Sequence, residues 1–484
     1  MSQPILLPQF KGRRVAVMGL ARSGLAAARV LAASGAEVLA WDDGAGGQKA
    51  AEAAGIALTN LHEADLSGVA ALVLSPGIPH TFPAPHPVAA RAKDAGVPII
   101  GDVELLRLAQ PDAAYVGITG TNGKSTTTAL TGHILAHAGR TLAVGGNLGI
   151  PVLTFPALGA PNNPRGDVYV LEMSSYQLEL TPSLGFDAAV LLNITPDHLD
   201  RHGGMDGYIA AKRLIFQAGA RDRSKAPPVA ILGVDEPNTA AMADSLEAEG
   251  GRRIVRISSE RVVPGGVHAV DGVLVDDTDG QARAVVDLRQ CPALPGRHNW
   301  QNACAAYAAT RAVGVAPEVI AEAMRAFPGL AHRQQTIATL DGIRFVNDSK
   351  ATNADAASKA LGCYEDMYWI VGGKAKEGGL SGLEPFMGRV RHAFLIGEAT
   401  EEFAPWLEGK VSYGRYGTLD QAVPAAYAMA KEAMKATGAG GTVLLSPACA
   451  SFDQYPNFEV RGDAFVRIVR QLADQLETGK DGAS

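Results

Sequence analysis

The sequence predicts an α/β protein of three domains built on largely parallel sheets. Short apolar runs that suit buried strands alternate along the chain with longer runs of helical spacing. Polar or glycine-rich residues follow most of the strand-like runs, at the edge where parallel sheets bind their ligands. At 484 residues the chain is too long for one hydrophobic core. We expect domains at 1–108, 109–329 and 330–484, the last beginning after Pro328-Gly329.

Composition excludes several classes of protein. A net charge of −7 argues against bulk binding to nucleic acid or to an acidic membrane. No run reaches the roughly 18 apolar residues of a membrane helix. The four cysteines lie far apart without a C-x-x-C pair, so they indicate reduced thiols rather than disulfides or a zinc site: Cys291, Cys304, Cys363 and Cys449. We therefore expect a cytoplasmic monomer with no nucleic-acid or membrane partner.

The first domain opens with a βαβ pattern. A strand over 14–19 leads into Gly19-Leu-Ala-Arg-Ser-Gly24, then a helix, then a second strand that ends in Asp42-Asp43. This order is Rossmann-like, and the acidic pair stands where a ribose-binding carboxylate would lie. Ala21 replaces the middle glycine of the dinucleotide fingerprint. Two interpretations therefore stay open here, an NAD site and a turn that only allows close packing of helix on strand.

The clearest motif is VGITGTNGKSTTT at Val116–Thr128. A strand-like run over 113–118 enters a glycine-rich loop, and helical spacing follows from Thr127. Such a loop can point several backbone N–H groups at one phosphate, and the helix N-terminus adds partial positive charge. Lys124 would neutralise phosphate charge, and Ser125 or Thr126 could hold Mg²⁺. Ile118 stands where the strict P-loop pattern has glycine, so this is a shorter variant that still predicts nucleotide binding.

Two further strand ends follow in the central domain. The run over 167–172 ends in Glu172, a position that suits a Mg²⁺-binding carboxylate, and the run over 188–194 leads to His198. Taken singly, Glu172 is compatible with helix capping and His198 with a surface role. A parallel sheet would bring both ends beside the phosphate loop, and that convergence favours a site.

Other polar positions of the central domain are less informative. Composition alone makes Lys212 a solvated helix lysine. Asn147 follows two glycines, and Asn299 and Asn302 precede an alanine-rich helix. Polar strand-like runs between Pro227 and Gln290 indicate a small insertion or a flanking sheet.

The third domain is predicted to be another α/β layer. Its strand-like runs end in Asp348–Asn353, Gly372–Lys376 and Ser446–Asp453. Loops are generally polar, yet three ends that carry cations or hydroxyls suit an anionic substrate or phosphate.

Taken together these blocks resemble a known family. GTNGKS, the Glu172 strand end, NITPDHLD, the Lys212 helix, GRHNWQN and DSKATN are similar to motifs of the bacterial Mur ligases, which form amide bonds at the expense of ATP in cell-wall precursor synthesis. SPGI, GDVEL and SPACASFDQ resemble the member that joins D-glutamate to UDP-N-acetylmuramoyl-L-alanine. The resemblance spans about residues 14 to 463. It implies a Rossmann-like N-terminal domain for the UDP-sugar, a central P-loop ATPase-type domain with a parallel or mixed sheet, and a Rossmann-like C-terminal domain that binds the amino acid and acts as a lid.

The resemblance also implies a role for individual residues. Those implied in catalysis are Lys124, Glu172, His198 and Lys212, and those implied at Mg²⁺ are Ser125, Glu172, His198 and Lys212, the last as a carbamate. ATP contacts are implied for Gly120, Thr121, Asn122, Gly123, Lys124, Ser125, Thr126, Asn299, Asn302, Arg333 and Asp348. UDP-sugar contacts are implied for Arg22, Ser23, Asp42, Asp43, Ser75, Gly77 and Asn147. D-Glutamate contacts are implied for Lys350, Thr352, Lys376, Ser451 and Phe458.

Several alternatives remain at this point. Lys374 and Lys376 compete for one role, and the spacing from the glycine pair favours Lys376. One residue fewer than expected separates His198 from Lys212. A folate polyglutamylating ligase of the same superfamily would lack the first domain. An NAD-dependent oxidoreductase and a non-catalytic nucleotide switch are the alternatives from other classes.

Overall fold

The computed structural model describes residues 4–147, 149–158, 166–219, 227–438 and 440–481. Its strands form three sheets, each flanked by helices, which confirms the predicted α/β class. None of the described helices is both long and apolar enough to span a membrane.

The first sheet has four parallel strands in the order β2-β1-β3-β4. These are β1 Arg14–Met18, β2 Glu37–Trp41, β3 Leu72–Leu74 and β4 Ile99–Ile100, with helices α1 Arg22–Ala33, α2 Ala45–Ala53, α3 Pro87–Asp94 and α4 Asp102–Ala109. Strand β1 is apolar over Val15–Met18 and buried there, as expected when helices cover both faces of a parallel sheet.

The second sheet has nine strands in the order β13-β12-β11-β10-β9-β8-β5-β7-β6. Its strands are β5 Ala114–Thr119, β6 Leu142–Gly146, β7 Val168–Glu172, β8 Ala188–Leu191, β9 Val229–Gly233, β10 Arg253–Ser258, β11 Val267–Val270, β12 Val273–Asp276 and β13 Arg283–Asp287. Its helices are α5 Lys124–His137, α6 Ser175–Glu179, α7 Leu199–His202, α8 Met205–Arg213, α9 Pro237–Glu249, α10 Arg297–Ala312 and α11 Pro317–Ala326. Within this sheet, every pair of neighbouring strands along β11-β10-β9-β8-β5-β7-β6 is parallel. Strand β12 pairs antiparallel with β11 and with β13.

The third sheet has six strands in the order β14-β15-β19-β16-β17-β18. Its strands are β14 Gln335–Leu340, β15 Ile343–Asn347, β16 Met367–Gly372, β17 Val390–Ile396, β18 Tyr413–Gly417 and β19 Thr442–Leu445. Its helices are α12 Ala354–Leu361, α13 Thr400–Leu407, α14 Leu419–Thr437 and α15 Phe458–Asp481. Only β14 runs antiparallel to its neighbour.

The segment between Pro227 and Gln290 differs from the predicted insertion or flanking sheet. Strand β9 pairs with β8 and β10 pairs with β9, both parallel, so the segment extends the central sheet itself. Its outermost strand β13 begins with two exposed residues and carries a charged residue at each end, as suits an edge strand. That polarity made the segment look separate in sequence.

The chain divides into two compact units. One comprises 1–291 and 297–327, with the first and second sheets, and the other comprises 292–296 and 328–484, with the third. The division into three domains at 108 and 329 stays a prediction.

Candidate active site

The phosphate loop lies between β5 and α5, with Lys124 as the first residue of the helix. Gly123 precedes the helix with φ of +85°, in the left-handed region, and a Cβ there would overlap the side-chain oxygen of Asn302. Glycine is therefore required at this position for two separate reasons. Ser125 and Thr126 are buried in the first turn of α5.

The end of β8 holds this loop in shape. Thr121 N donates to Asn193 O at 3.0 Å, and Asn122 N donates to Asn193 Oδ1 at 2.8 Å. Thr195 N donates to the Thr121 hydroxyl at 3.0 Å, and that hydroxyl donates to Thr195 O at 3.0 Å. The strand end that carries His198 thus also fixes the phosphate loop.

Lys212 lies beside the phosphate loop, so its reading as a solvated lysine is wrong. Only 2% of the residue is exposed, and its Nζ donates to Gly120 O at 2.9 Å. Lys124 Nζ donates to the same carbonyl oxygen at 2.8 Å. Burial, followed by the charge of Lys124, lowers the pKa of Lys212 well below its ordinary value, and Asp197 opposes this only in part. The amine is therefore biased towards its neutral, nucleophilic form.

Glu172 ends β7, next to the phosphate loop strand in the sheet. Its Oε1 accepts from Asn147 Nδ2 at 3.0 Å. Its Oε2 is buried and accepts no hydrogen bond among the described residues. A buried carboxylate oxygen without a donor is costly, so an oxygen-binding cation would suit this position.

His198 precedes α7 with φ of +52°, a left-handed conformation that is uncommon outside glycine. Its side chain is about half exposed, its Nε2 lies 3.5 Å from Asp197 Oδ2, and its ring centroid lies 5.3 Å from that of Tyr176. Backbone strain of this kind recurs where a side chain must face a ligand.

Asn302 of α10 lies against Gly123, and its Nδ2 donates to Asn299 Oδ1 at 3.2 Å. Both side chains are buried. The first unit thus brings Lys124, Glu172, Lys212 and the two asparagines to one edge of the central sheet, whereas the strand pattern alone had predicted convergence only of the phosphate loop, Glu172 and His198. Their contacts with ligands stay predictions.

A separate cavity of about 570 Å³ lies at the carboxyl end of the first sheet. Its lining includes all six of the residues in this domain implied at the UDP-sugar: Arg22, Ser23, Asp42, Asp43, Ser75 and Gly77. Asn147, the seventh, lies instead at Glu172.

The two aspartates at this cavity have different tasks. Asp42 accepts from Leu20 N at 2.6 Å and from Gly44 N at 2.7 Å, so it organises the turn between β1 and α1. Asp43 accepts from the indole of Trp41 at 2.9 Å and from the Nε2 atoms of His62 and His86 at 2.8 Å each. Although burial opposes it, these hydrogen bonds lower the pKa of Asp43.

The Asp43–His62–His86 group has the composition of a metal site, but its hydrogen bonds oppose that use. His86 Nδ1 caps α3 by accepting from Val88 N at 3.3 Å. Neutral His86 therefore carries its proton on Nε2 and donates it to Asp43, which leaves no lone pair there for a metal.

In the second unit, Asp348 follows β15 and is buried. Its Oδ2 accepts from Ser446 Oγ at 2.8 Å and its Oδ1 from Gln334 N at 3.1 Å. Burial raises the pKa of Asp348 to about 7, although the Ser446 hydrogen bond and the charge of Arg333 oppose the rise. Both residues implied at ATP in this unit, Arg333 and Asp348, thus lie near each other.

The residues implied at D-glutamate lie mostly at the same strand ends. Lys350 Nζ lies 5.4 Å from the ring centroid of Phe458, and Ser451 is buried beyond β19. Thr352 N donates to Lys350 O at 2.9 Å. The backbone of Lys374 pairs with Ala450 through two hydrogen bonds, and both Lys374 and Lys376 are exposed. The choice between these two lysines stays open.

Comparison with known proteins agrees with this geometry. A model of the Mur ligase middle domain matches residues 118–310. A curated protein of Rhodospirillum rubrum named UDP-N-acetylmuramoylalanine--D-glutamate ligase is 53% identical over 487 residues, covering 100% of this chain and 99% of its own. A protein of the same name from Caulobacter vibrioides is 50% identical over 470 residues, covering 96% and 97%.

The chain belongs to the Mur ligase family. Solved structures of Mur ligases share its fold at low identity. MurC of Thermotoga maritima matches with a TM-score of 0.54 at 17% identity, covering 95% of this chain and 99% of its own. MurF of Acinetobacter baumannii matches with a TM-score of 0.52 at 19% identity, covering 75% and 79%.

Sequence reasoning missed several residues that shape the site of this Mur ligase. His62 and His86 hold Asp43, yet they lie 19 and 43 positions from it, and only the His-Pro pair at the start of α3 gave a signal. Arg461 is 1% exposed and donates to Ser349 Oγ, Ser349 O and Cys449 O at 2.8 to 3.0 Å. It ties two site loops together, and nothing in its helical pattern predicted that role.

Proposed function

We propose that the chain is an ATP-dependent ligase that adds D-glutamate to UDP-N-acetylmuramoyl-L-alanine in the cytoplasmic synthesis of peptidoglycan precursors. The observation that carries this assignment is the 53% identity, over the whole chain, to a relative named for that reaction. The geometry agrees, because a phosphate loop, a buried carboxylate and a buried lysine meet at one sheet edge.

The proposed first step is attack of the alanine carboxylate on the γ-phosphate of ATP. A carboxylate oxygen forms a bond to phosphorus, ADP leaves, and an acyl phosphate results. Lys124 and the backbone N–H groups at the start of α5 would stabilise charge on the phosphoryl oxygens. In the second step the amine of D-glutamate attacks the acyl carbon, an amide forms, and phosphate leaves with loss of the amine proton.

Mg²⁺ would bind near Glu172, Ser125 and His198, and the residues present fit it. Glu172 Oε2, which accepts no hydrogen bond within the described part of the chain, is a hard oxygen ligand in a buried position. When bound, the ion would neutralise phosphate charge.

Lys212 would complete this set as a carbamate. Its buried amine, biased to the neutral form, can attack CO₂ through nitrogen and lose a proton. The product replaces a cation, held at the same carbonyl as Lys124, with an anion that offers two oxygens. Repulsion between two lysines is thereby exchanged for attraction.

The first domain, 1–108, would bind the UDP-sugar in its 570 Å³ cavity, and 109–329 would bind ATP. The last domain, 330–484, would supply Arg333 and Asp348 to ATP, and Lys350, Thr352, Lys376, Ser451 and Phe458 to D-glutamate. The polar ends of the third sheet support this division.

The direct test is phosphate release from ATP in the presence of UDP-N-acetylmuramoyl-L-alanine, with D-glutamate, L-glutamate or D-aspartate as the acceptor. We expect sustained release and amide product only with D-glutamate. Lys124→Ala should abolish the reaction while keeping the circular dichroism spectrum. A wild-type enzyme that releases no phosphate with D-glutamate would contradict the proposal.

A further inference from the structure

Arg201 connects two parts of the first unit that the proposed reaction uses separately. It lies in α7, three residues after His198, and its guanidinium donates to Gly77 O at 2.8 Å. Gly77 belongs to the lining of the cavity proposed for the UDP-sugar, together with Ser75 and His86. A wall of that cavity is therefore hydrogen-bonded to the segment that carries His198.

The same cavity loop touches this segment at a second point. The ring of Phe82 packs on Gly203, the residue after α7. A Cβ at Gly203 would lie 2.9 to 3.1 Å from ring carbons of Phe82, and the φ of +69° also favours glycine. Two contacts fix the orientation of one segment against the other better than a single contact can.

Arg201 also contacts an aromatic residue that lies beside His198. Its Cζ lies 4.6 Å from the ring centroid of Tyr176, and the same ring contacts His198 at 5.3 Å between centroids. Tyr176 follows Glu172 by four residues, at the start of α6. The arginine thus packs on an aromatic ring that also contacts His198, one of the implied metal ligands.

The hydrogen bonds and charge contacts of Arg201 are not those expected of a residue that only stabilises the fold. Its Nε is buried without a hydrogen-bond partner among the described residues. No carboxylate in the described chain forms an ion pair with it within 4.0 Å. Glu179 is within electrostatic range of Arg201 but forms no close ion pair with it among the described residues. A half-buried cation with one unsatisfied donor and no close ion pair costs stability, whereas an apolar side chain could fill the same space.

We propose that Arg201 is a positioning residue that fixes the UDP-sugar cavity relative to the phosphate-loop site. The inference depends on the proposed function, because it concerns a substrate that must span both places. The alanine carboxylate has to reach the γ-phosphate while the nucleotide end stays in the cavity. A misplacement of about 1 Å between reacting groups can cost about 100-fold in rate.

The first test compares Arg201→Met, which removes charge and donors at similar length, with Arg201→Lys, which keeps the charge. The matched control is Arg213→Met, since Arg213 forms an exposed ion pair with Glu249. We expect Arg201→Met to lower kcat/KM for the sugar nucleotide by about 10- to 100-fold. The lysine variant should fall between, and ATP affinity should change less than about twofold in both.

The second test separates positioning from structural damage. N-acetylmuramoyl-L-alanine 1-phosphate lacks the uridine end, so wild-type enzyme should lose kcat with it, because remote binding energy no longer positions the carboxylate. In Arg201→Met the hydrogen bond from Arg201 to the cavity wall is already lost. Removal of the uridine end of the substrate should therefore reduce kcat much less in this variant. Phe82→Ala should be non-additive with Arg201→Met for the same reason.

Equal losses on truncation in wild type and Arg201→Met would overturn the inference, as would an Arg201→Met enzyme that matches Arg213→Met. If Arg201→Met does not fold, the same comparisons with Arg201→Lys decide the question. A wild-type enzyme that fails to ligate D-glutamate would instead contradict the proposed function, so the two failures are distinguishable.

Discussion

Lys212 shows how burial changes the chemistry of a residue. Its Nζ and that of Lys124 donate to one carbonyl oxygen, and burial lowers the pKa of Lys212. Two ammonium groups at this spacing would repel each other in a site with little water. This repulsion is avoided if the Lys212 amine is neutral or carbamylated. The neutral amine is also the form that reacts with CO₂ to give the carbamate.

We therefore predict that Lys212→Ala is nearly inactive and that a short carboxylate such as formate partly restores activity, because it can occupy the position of the carbamate. A ¹³C-labelled carbamate signal should form in wild type under ¹³CO₂ and be missing from the variant. Lys435→Ala, at an exposed ion pair with Glu432, is the control. Full activity of Lys212→Ala would return this residue to a structural role.

Asp348 leads to a prediction about pH. Its pKa rises to about 7 in the folded protein, mainly through burial, and it is about 3.9 in unfolded chains. Between these values the folded state binds more protons than the unfolded state. Ionisation of Asp348 therefore lowers the free energy of unfolding progressively as the pH rises from about 4 to 7. Above about pH 7 this loss of stability is complete.

Asp348→Asn should accordingly raise the melting temperature by a few degrees at pH 8 and by much less at pH 5, because the amide is never charged. Thermal unfolding at both values measures this difference. Asp366→Asn, which makes the same substitution at an exposed carboxylate paired with Arg391, is the matched control for the substitution itself. A shift at pH 8 no larger than at pH 5 would contradict the assignment.

At this scale the sequence predicted where polar side chains gather but not how they are partnered. Glu172 and Asn147 were named separately, and their hydrogen bond follows from the parallel pairing of β6 with β7. Lys212 looked solvated because its helix has polar neighbours, and only packing against Gly120 reveals its burial. The local sequence shows only which residues adjoin Lys212 along the chain. Its burial depends on segments that are distant in sequence and pack against it.

Among the elements, the phosphate loop and the end of β8 behave as one unit. Asn193 and Thr195 supply three of the hydrogen bonds that shape residues Thr121 and Asn122. A motif search finds the loop, because its residues are contiguous. It cannot find the residues that hold the loop through hydrogen bonds, because they follow a strand some seventy residues later in the sequence.

Gly123 permits a test of this loop. We predict that Gly123→Ala weakens ATP binding by at least about tenfold, because its Cβ would displace Asn302 from the loop. Gly139→Ala is the matched control, since its φ of +71° is also left-handed but its Cβ would meet no atom within 4 Å. The control should lose about 1 to 2 kcal/mol of stability from backbone strain and keep its ATP affinity.

Nucleotide titration of both variants measures the difference. Equal ATP affinities would show that the approach of Asn302 does not matter for binding, and would remove Asn302 from the proposed nucleotide site.

The strand pattern was predictable where strands are buried on both faces. The predicted run over 442–445 coincides with β19, and the run over 37–41 with β2. The strand-like runs between Pro227 and Gln290 were recognisable as strands, but not as a continuation of the central sheet, because the pattern of side chains within a strand does not show which strand it pairs with.

For the whole molecule, each compact unit has buried apolar clusters of its own. One cluster of the second unit packs around Trp369, Phe403 and Leu444, and another around Phe345, Phe394 and Phe465. Units with separate cores can unfold in separate steps.

We therefore predict two calorimetric transitions. Ligands stabilise only the state that binds them, so the UDP-sugar, whose proposed cavity lies in the first unit, should raise one transition selectively. Asp348→Asn should affect the other at pH 8. A single transition that moves as a whole with both changes would show that the units unfold together.

The division of the chain between the units bears on how such proteins can recombine. Residues 292–296 belong to the second unit although 297–327 return to the first. Leu294 in this short stretch is fully buried, and the Cys363 thiol lies 3.7 Å from Pro295 O. A crossover after residue 327 would therefore bring in a foreign second unit while keeping the native 292–296 segment. Chimeras between relatives should fold best when this five-residue segment is inherited together with the carboxyl-terminal half, so the natural boundary for exchange is not one point in the gene.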